Sequence, residues 1–568
     1  MNRTYAPIFA LVDELARCGM RHAVTSPGSR NAPIALALAG DPRIEAHSVI
    51  DERAAGFAAL GMAKLTGAPV AVTCTSGSAV ANLMPAVVEA HEARVPLIVM
   101  TADRPPELRD TGAGQAIDQI KIYGSFAKWF VEVGNHEPGR ASAVHHRALA
   151  CRAFHTARGG RPGVVHLNLP LREPLAPVPE DGFDAAVWDG RPDGGPWVQV
   201  YESSAEAAGR LADGMAARIP QGARGAIVVG SVAEAVAEPV ARLAAACGWP
   251  VLADAASGVR FGPHDRSHVI AHYDVLLRSQ EWAARHRPGL VMRIGDTPTS
   301  KPLRAWLAEA PQLVVDPHAT WHEPTRSAET IVQAAPASLC DALARRLEEA
   351  GVRPVQEWLA GWREADDLVP EALSATPDPF EPKALAAAVD AAPDGATIWV
   401  ASSMPIRDVE TFLPSSEKRL RVLANRGANG IDGTVASAAG ASVAARERVY
   451  LLIGDIALLH DIGGLLAARR MGADLTIVCI NNGGGGIFDF LPVSAAADPG
   501  LYERHIATPE DLDLGRLAAL LDMRHTLAET AGEVRDAARL PGLVEVRTNR
   551  EENVKLHRAL FARVAEQL

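Results

Sequence analysis

The sequence predicts an α/β protein built from three doubly wound parallel-sheet domains, and three observations carry that expectation. Short β-branched runs alternate with longer alanine-rich stretches of helical character along the whole chain. The runs are apolar throughout, as strands buried on both faces of a parallel sheet must be. Two segments break the alternation and read as linkers: Pro174 to Pro196, rich in Pro, Gly and Asp, and Val352 to Pro382, with four prolines in its second half. A chain of 568 residues is too long for one core, so about three domains are expected. They are expected at 1–180, 195–350 and 380–568.

Taken in order, the N-terminal domain is expected to carry strands at Pro69 to Thr73 and Pro96 to Met100. The central domain carries one at Ala226 to Val229, and the C-terminal domain has Arg448 to Ile453 and Leu475 to Ile480. Pro162 to Leu167, near the end of the first domain, is patterned like Pro541 to Val546, near the end of the third. Either a duplicated architecture or the common habit of parallel α/β folds explains that likeness.

Composition removes several function classes. A net charge of −12 disfavours nucleic acid, whose phosphates want a basic face. An anionic substrate would therefore need a local cluster of basic side chains. No apolar run reaches the roughly 18 residues of a membrane span. The start, Met1 to Tyr5, lacks the apolar stretch of a signal peptide, so the cytoplasm is the expected location. Six cysteines are scattered without a close pair in sequence, which argues for free thiols over a disulfide framework or zinc site. His264, His268 and His272 are spaced by four, but Gly262 and Pro263 mark a loop there. They are expected to be structural or surface histidines rather than zinc ligands.

The sharpest chemical signal lies in the third domain. One strand runs into Gly454-Asp455, and the next ends in Asn481-Asn482 followed by Gly483 to Gly486. Asp455 and Asn482 thus fall at the carboxyl ends of two parallel strands, where open α/β sheets hold ligands. A carboxylate, an amide oxygen and a backbone carbonyl are hard donors suited to magnesium, which completes its shell with water and phosphate oxygens. The glycines let backbone approach a diphosphate without Cβ clashes. Gly-Asp alone would also suit an ordinary turn. In the first domain, Glu52 stands where a β-type run meets an alanine-rich helix. An acid there would equally complement the helix N-terminus, as Asp51 and Arg53 are expected to do.

Gly454-Asp455 with Asn482 27 positions after the aspartate resembles the cofactor signature of thiamine-diphosphate-dependent enzymes. The run Val49 to Ala63 is similar to the segment carrying that family's activating glutamate. The resemblance implies Asp455, Asn482 and Gly484 as ligands of Mg2+ or Mn2+. It implies Ser402, Gly454, Gly486 and Ile487 around the cofactor and Ile431 as the wedge that bends it. It also implies Glu52 as the acid bonded to its aminopyrimidine ring. Family members often have glycine after the aspartate, where Ile456 stands here, and that departure removes no ligand.

Longer segments resemble one branch of the family, the carboligases that join 2-oxoglutarate to isochorismate on the way to menaquinone or phylloquinone. They are Ser26 to Asn31, Thr101 to Asp110, Gly114 to Gln119, Asn425 to Gly433 and Gly485 to Pro492. The resemblance implies Ser29, Arg30 and Gln115 among the catalytic residues. It implies Arg30, Arg104, Gln115, Lys301, Ser403, Arg407, Arg426, Ile487 and Phe488 in the substrate pocket, since two dianions call for several basic groups. Some relatives carry a second basic residue at the position of Pro302, which leaves the contact of Lys301 open; Ile431, Ile487 and Phe488 would also serve as ordinary core residues. A homodimer or homotetramer with active sites across the subunit interface is implied too. The rival readings are another thiamine carboligase or decarboxylase and a non-catalytic 2-oxo-acid-binding protein. No dinucleotide glycine fingerprint follows Ala226 to Val229, so a flavin is not indicated.

Overall fold

The computed structural model describes residues 2–181, 183–200 and 206–568, with the side chains of 206 and 207 outside the description. It contains three six-stranded sheets. The first is formed by β1 (His22–Thr25), β2 (Glu45–Ser48), β3 (Val70–Cys74), β4 (Leu97–Asp103), β5 (Ala127–Glu132) and β6 (Val164–Pro170). The second holds β7 (Gly225–Val229), β8 (Val251–Ala253), β9 (Val269–Ile270), β10 (Leu290–Ile294), β11 (Gln312–Val315) and β12 (Ala328–Val332). The third holds β13 (Thr397–Val400), β14 (Arg421–Leu423), β15 (Val449–Gly454), β16 (Leu475–Asn481), β17 (His525–Ala528) and β18 (Gly542–Arg547). The α/β class and the parallel sheets expected from the apolar runs are what the chain adopts.

Strand order separates the three. The first sheet runs β2-β1-β3-β4-β6-β5 and the third β14-β13-β15-β16-β18-β17, the same permutation counted from each sheet's first strand. The pair of similar segments noted in the sequence becomes β6 and β18, each in the fifth place. The second sheet, β12-β11-β10-β7-β8-β9, is wound differently. The likeness is therefore specific to the first and third sheets rather than general to all three.

Burial on both faces accounts for the continuous apolar strands. In the first sheet, Val70, Val72, Leu97 and Val99 enter one core cluster, while Ala71, Ile98 and Met100 enter the opposite one. Successive strand side chains point to opposite faces, so both sets must be apolar.

The chain divides into two compact units: Met1–Glu202 with Asn425–Val449 and Ala457–Leu475, and Ser203–Ala424 with Tyr450–Ile456 and Thr476–Leu568. In the first unit, the helix Glu52–Thr66 packs against the helix Thr434–Ala445. Glycines set how closely they approach. A Cβ on Gly61 would lie 1.9 Å from the Ser437 carbonyl oxygen, and one on Gly440 2.0 Å from that of Ala58. Backbone thus touches backbone at two reciprocal points, and no larger residue fits either one.

The cysteines are free thiols among the described residues, but folding does bring two of them together. Cys18 and Cys151 stand 3.6 Å apart, sulfur to sulfur, on helices 133 positions apart in sequence, a separation that conceals such a pair from any spacing rule. The histidine triplet sits outside a helix. His264 Nε2 lies 2.8 Å from the Val259 carbonyl, His268 Nδ1 3.0 Å from that of Trp249, and His272 Nδ1 3.3 Å from Asp366. The first two rings bond to backbone carbonyls of local structure.

Candidate active site

In the second unit, β15 ends at Gly454 and Asp455 opens the next helix, while β16 ends at Asn481. Asp455 is buried, and both its oxygens accept backbone N–H groups, from Ile456 at 2.8 Å and from Gly484 at 2.9 Å. Burial raises its pKa above the ordinary value; the N–H groups of Ile456, Gly484 and Gly483, with the charge of Arg550, pull the other way. A carboxylate so held is fixed in orientation and gains from a nearby cation.

Asn482 shows which of its amide atoms faces the site. Its Nδ2 donates to Glu381 Oε1 over 3.0 Å, and its Oδ1 is buried with no hydrogen-bond partner. A buried acceptor without a partner is costly unless something supplies a positive charge or donor. The loop that follows needs its glycines. Gly484 has φ +142°, and a Cβ there would meet the Ala507 carbonyl at 2.7 Å; one on Gly486 would meet Asn482 Nδ2 at 2.6 Å. The Gly484 carbonyl accepts the Gly486 N–H at 2.9 Å, which leaves a second lone pair on that oxygen. The carboxylate of Asp455, the unpartnered Oδ1 of Asn482 and the Gly484 carbonyl make a hard oxygen donor set, and the backbone of Gly483 to Gly486 offers N–H groups without side chains in the way. These residues fit a small divalent cation with a diphosphate.

Sequence reasoning missed the support of this corner. Glu381, 1% exposed, accepts from both Asn482 and Thr548 Oγ1, the latter at 2.9 Å. Burial and the neighbouring Asp408 push its pKa up to about 7, against the hydrogen bonds from Asn482 and Thr548 and the charge of His557. His557 Nε2 in turn lies 3.1 Å from Asp408 Oδ1. Arg550, bonded to Glu503 at 2.7 Å, lies beside Gly484. A buried acid 101 positions from its partner carries no local sequence signal, apart from an acidic residue at a helix start where charge alone would explain it.

The other expected residues of this unit lie after strands of the third sheet, except Lys301, which follows β10 of the second. Ser402 is buried and Ser403, with φ +73°, caps the helix Met404–Phe412. Arg407 donates to the Ser403 carbonyl. Ile487 and Phe488 are half-buried in the short helix Gly486–Phe490. Lys301 is exposed at the start of the helix Lys301–Leu307, where Pro302 takes a position that helix starts favour.

The first unit holds the remaining expected residues. Asp51 caps the helix Glu52–Thr66 by accepting the Arg53 N–H, and its carboxylate pairs with Arg53 at 2.7 Å. These two carry the helix-start charges as expected, and Glu52 becomes the first helical residue, half-buried; burial, with the charge of Glu52 adding to it, raises the pKa of the Cys74 thiol. The loop Ser26 to Asn31 leaves β1. A Cβ on Gly28 would lie 2.4 Å from Thr75, and Asn31 Nδ2 ties back to the Ser26 carbonyl at 2.8 Å, which holds Ser29 in the open and Arg30 inside. Arg30 donates to the Leu171 carbonyl at 2.7 Å, and its Nε is buried without a partner. Burial and the charge of Arg104 lower its pKa.

Arg104 holds the Gly114 carbonyl through two donors at 3.1 and 2.9 Å. The adjacent Gln115 is exposed with φ +60°. Buried Gln119 fastens this segment, donating to Asn168 Oδ1 at 2.9 Å and accepting from the Gly77 N–H at 3.0 Å. Arg109, within the same matched run, is occupied by Asp103 and Glu132 at 2.8 and 2.6 Å. The loop bearing Arg426 and Ile431 is anchored by Glu89, whose two oxygens accept the Gly427 and Ala428 N–H groups at 2.9 and 2.7 Å. Glu89 and Gln119 are again supports that the sequence alone did not single out.

Comparison with known proteins shows the family. Residues 9–122 match the thiamine pyrophosphate enzyme N-terminal TPP binding domain, 190–391 the middle domain of thiamine pyrophosphate enzymes, and 397–540 their C-terminal TPP binding domain. The chain is a thiamine pyrophosphate enzyme. A protein of Geobacillus kaustophilus is 44% identical over 98% of this chain and 97% of its own length. One of Halobacterium salinarum is 40% identical over 99% and 98%. Both are named 2-succinyl-5-enolpyruvyl-6-hydroxy-3-cyclohexene-1-carboxylate synthase, and the chain belongs to that family.

Proposed function

We propose that this chain decarboxylates 2-oxoglutarate and adds the remaining four-carbon unit to isochorismate, in the biosynthesis of menaquinone or phylloquinone. The observation that carries the reading is near-full-length similarity to synthases of that name together with a donor set whose one unpartnered oxygen, Asn482 Oδ1, suits a metal. Thiamine diphosphate, when bound, supplies the nucleophilic carbon and the electron sink for loss of carbon dioxide. The chain's own residues bind, orient and exclude water.

Asp455, Asn482 and the Gly484 carbonyl would hold Mg2+ or Mn2+ against the diphosphate, with Ser402, Gly454, Gly486 and Ile487 about the cofactor. Ile431 would press on it, and Glu52 would give its carboxyl proton to the aminopyrimidine. Arg30 is suited to a substrate carboxylate because it is largely desolvated and keeps an unused donor, which strengthens a charge-assisted bond. Arg104, Gln115, Lys301, Ser403, Arg407 and Arg426 would complete recognition of the two dianions, and Ser29 would act beside Arg30 and Gln115. Phe488 and Ile487 would form the apolar wall that keeps water from the reacting atoms. The family resemblance supports a homodimer or homotetramer in which one chain's Glu52 serves a cofactor whose metal is held by another. A cytoplasmic home accords with the absence, among the described residues, of a helix long and apolar enough to cross a membrane.

The test is mass spectrometry of the product formed from 2-oxoglutarate, isochorismate, thiamine diphosphate and Mg2+. The expected product carries the succinyl group on the isochorismate ring. Carbon dioxide release that ignores isochorismate would point to a plain decarboxylase instead.

A further inference from the structure

Two histidines and a glutamate meet at the edge of the first sheet, apart from every residue assigned above. β2 is the edge strand and pairs in parallel with β1, with His22 opposite Glu45 and Val24 opposite His47. Glu45 and His47 are two apart on β2, so their side chains leave the same face. A ring nitrogen from each histidine and a carboxylate oxygen of Glu45 all lie within 4.8 Å of one another. His47 Nε2 and Glu45 Oε1 are 3.5 Å apart. Ligands about 2.0–2.1 Å from a tetrahedral zinc stand roughly 3.3 Å from each other, so this pair is already near coordination spacing.

The hydrogen bonding distinguishes a ligand set from an ordinary cross-strand cluster. His22 Nδ1 and His47 Nε2 are both buried and have no hydrogen-bond partner. Neighbours normally satisfy such atoms, and here none does. Glu45 Oε2 accepts from Arg446 at 3.1 Å, which orients the carboxylate and leaves Oε1 turned to the rings, the outer support that metal-binding carboxylates usually have. Burial lowers the pKa of both imidazoles; for His22 the charges of His47 and Arg446 add to this, and Glu45 opposes it in both. Neutral rings are the metal-binding form.

We propose that His22, Glu45 and His47 form a second metal site, for zinc or another late first-row divalent ion, with a fourth position open to water. Two imidazoles and one carboxylate suit these ions, whereas magnesium prefers oxygen donors. Bound metal would fasten edge strand β2 to β1. From β2 the chain passes through Val49 to Asp51 directly into the helix that begins at Glu52, so the staple would steady the approach to that helix.

The experiment uses the full chain saturated with thiamine diphosphate and Mg2+, so that the oxygen-rich site is filled, and titrates zinc chloride by calorimetry. X-ray absorption then reads the ligands of the bound zinc. The expected result is one zinc per chain with two imidazoles and one carboxylate in its shell. His22→Gln and His47→Gln should each weaken binding by at least about tenfold, the scale seen even for outer-shell changes, and Glu45→Gln should weaken it too. If His22→Gln fails to fold, His47→Gln and Glu45→Gln decide the matter. Zinc that binds with unchanged affinity to these variants, a shell lacking imidazole, or no zinc bound at all would overturn the proposal.

Discussion

Glu381 determines which way the Asn482 amide faces: Nδ2 donates to Glu381 Oε1 over 3.0 Å, and Oδ1 is left turned away without a partner. Replacing the acid with an apolar residue of similar length removes the acceptor that holds that N–H. Glu381→Met should therefore let the amide rotate and weaken Mn2+ binding by about 10–100-fold, the usual effect of losing such a support. Paramagnetic resonance titration of Mn2+ checks it. Unchanged affinity would show that the amide is held by other means.

Glu52→Gln should leave cofactor affinity nearly intact while slowing hydrogen exchange at the thiazolium carbon by about 100-fold or more, the range for a lost acid–base group. Exchange followed by nuclear magnetic resonance after quenching reads this directly. An exchange rate equal to wild type would restrict Glu52 to the charge of its helix start.

Asp455→Ala should abolish metal-dependent binding of thiamine diphosphate, because the diphosphate loses its bridging cation. Calorimetry with and without Mg2+ measures it. Chains carrying Asp455→Ala, mixed with Glu52→Gln chains under conditions of subunit exchange, should recover about a quarter of wild-type activity if sites are shared across a two-fold dimer. Confirmed exchange without recovered activity would place each site within one chain.

Gly61→Ala and Gly440→Ala should each destabilise the chain by about 1–3 kcal/mol, as overpacking does. The added carbons would sit 1.9 Å from the Ser437 carbonyl oxygen and 2.0 Å from that of Ala58, and helix backbone cannot step aside as a side chain can. A lowered Tm by calorimetry is the expected reading.

Glu410 supplies a pH dependence. It is 1% exposed, bonded to the Tyr273 hydroxyl and the Ala255 N–H. Burial and the neighbouring Asp254 push its pKa up to about 8, against Arg260 and those hydrogen bonds. Its folded pKa is above its unfolded value, so the folded state binds the proton more tightly. The stability from this group is complete below about pH 4.3 and is lost as pH rises toward 8, at up to about 1.4 kcal/mol per pH unit. Glu410→Gln, which cannot ionise, should flatten the decline in Tm between pH 5 and 8.

The sequence by itself determined the α/β class, because strands buried on both faces leave short, continuous, β-branched apolar runs that alternate with helical stretches. It also placed Asp455 and Asn482 at the ends of two strands, since local backbone geometry ties them there and one helical crossover sets their spacing. Tertiary structure alone decided how those groups are held. Glu381 and Asn482 are 101 positions apart, Glu89 and Gly427 are 338 apart, and a contact between distant segments leaves no periodic trace in either. The shared strand order of the first and third sheets was likewise open in the sequence, because pairing depends on which strands neighbour one another and not on their individual patterns. The same holds for the meeting of His22, Glu45 and His47: parallel register between β1 and β2 brings together side chains that look, read in line, like unrelated polar residues on short strands.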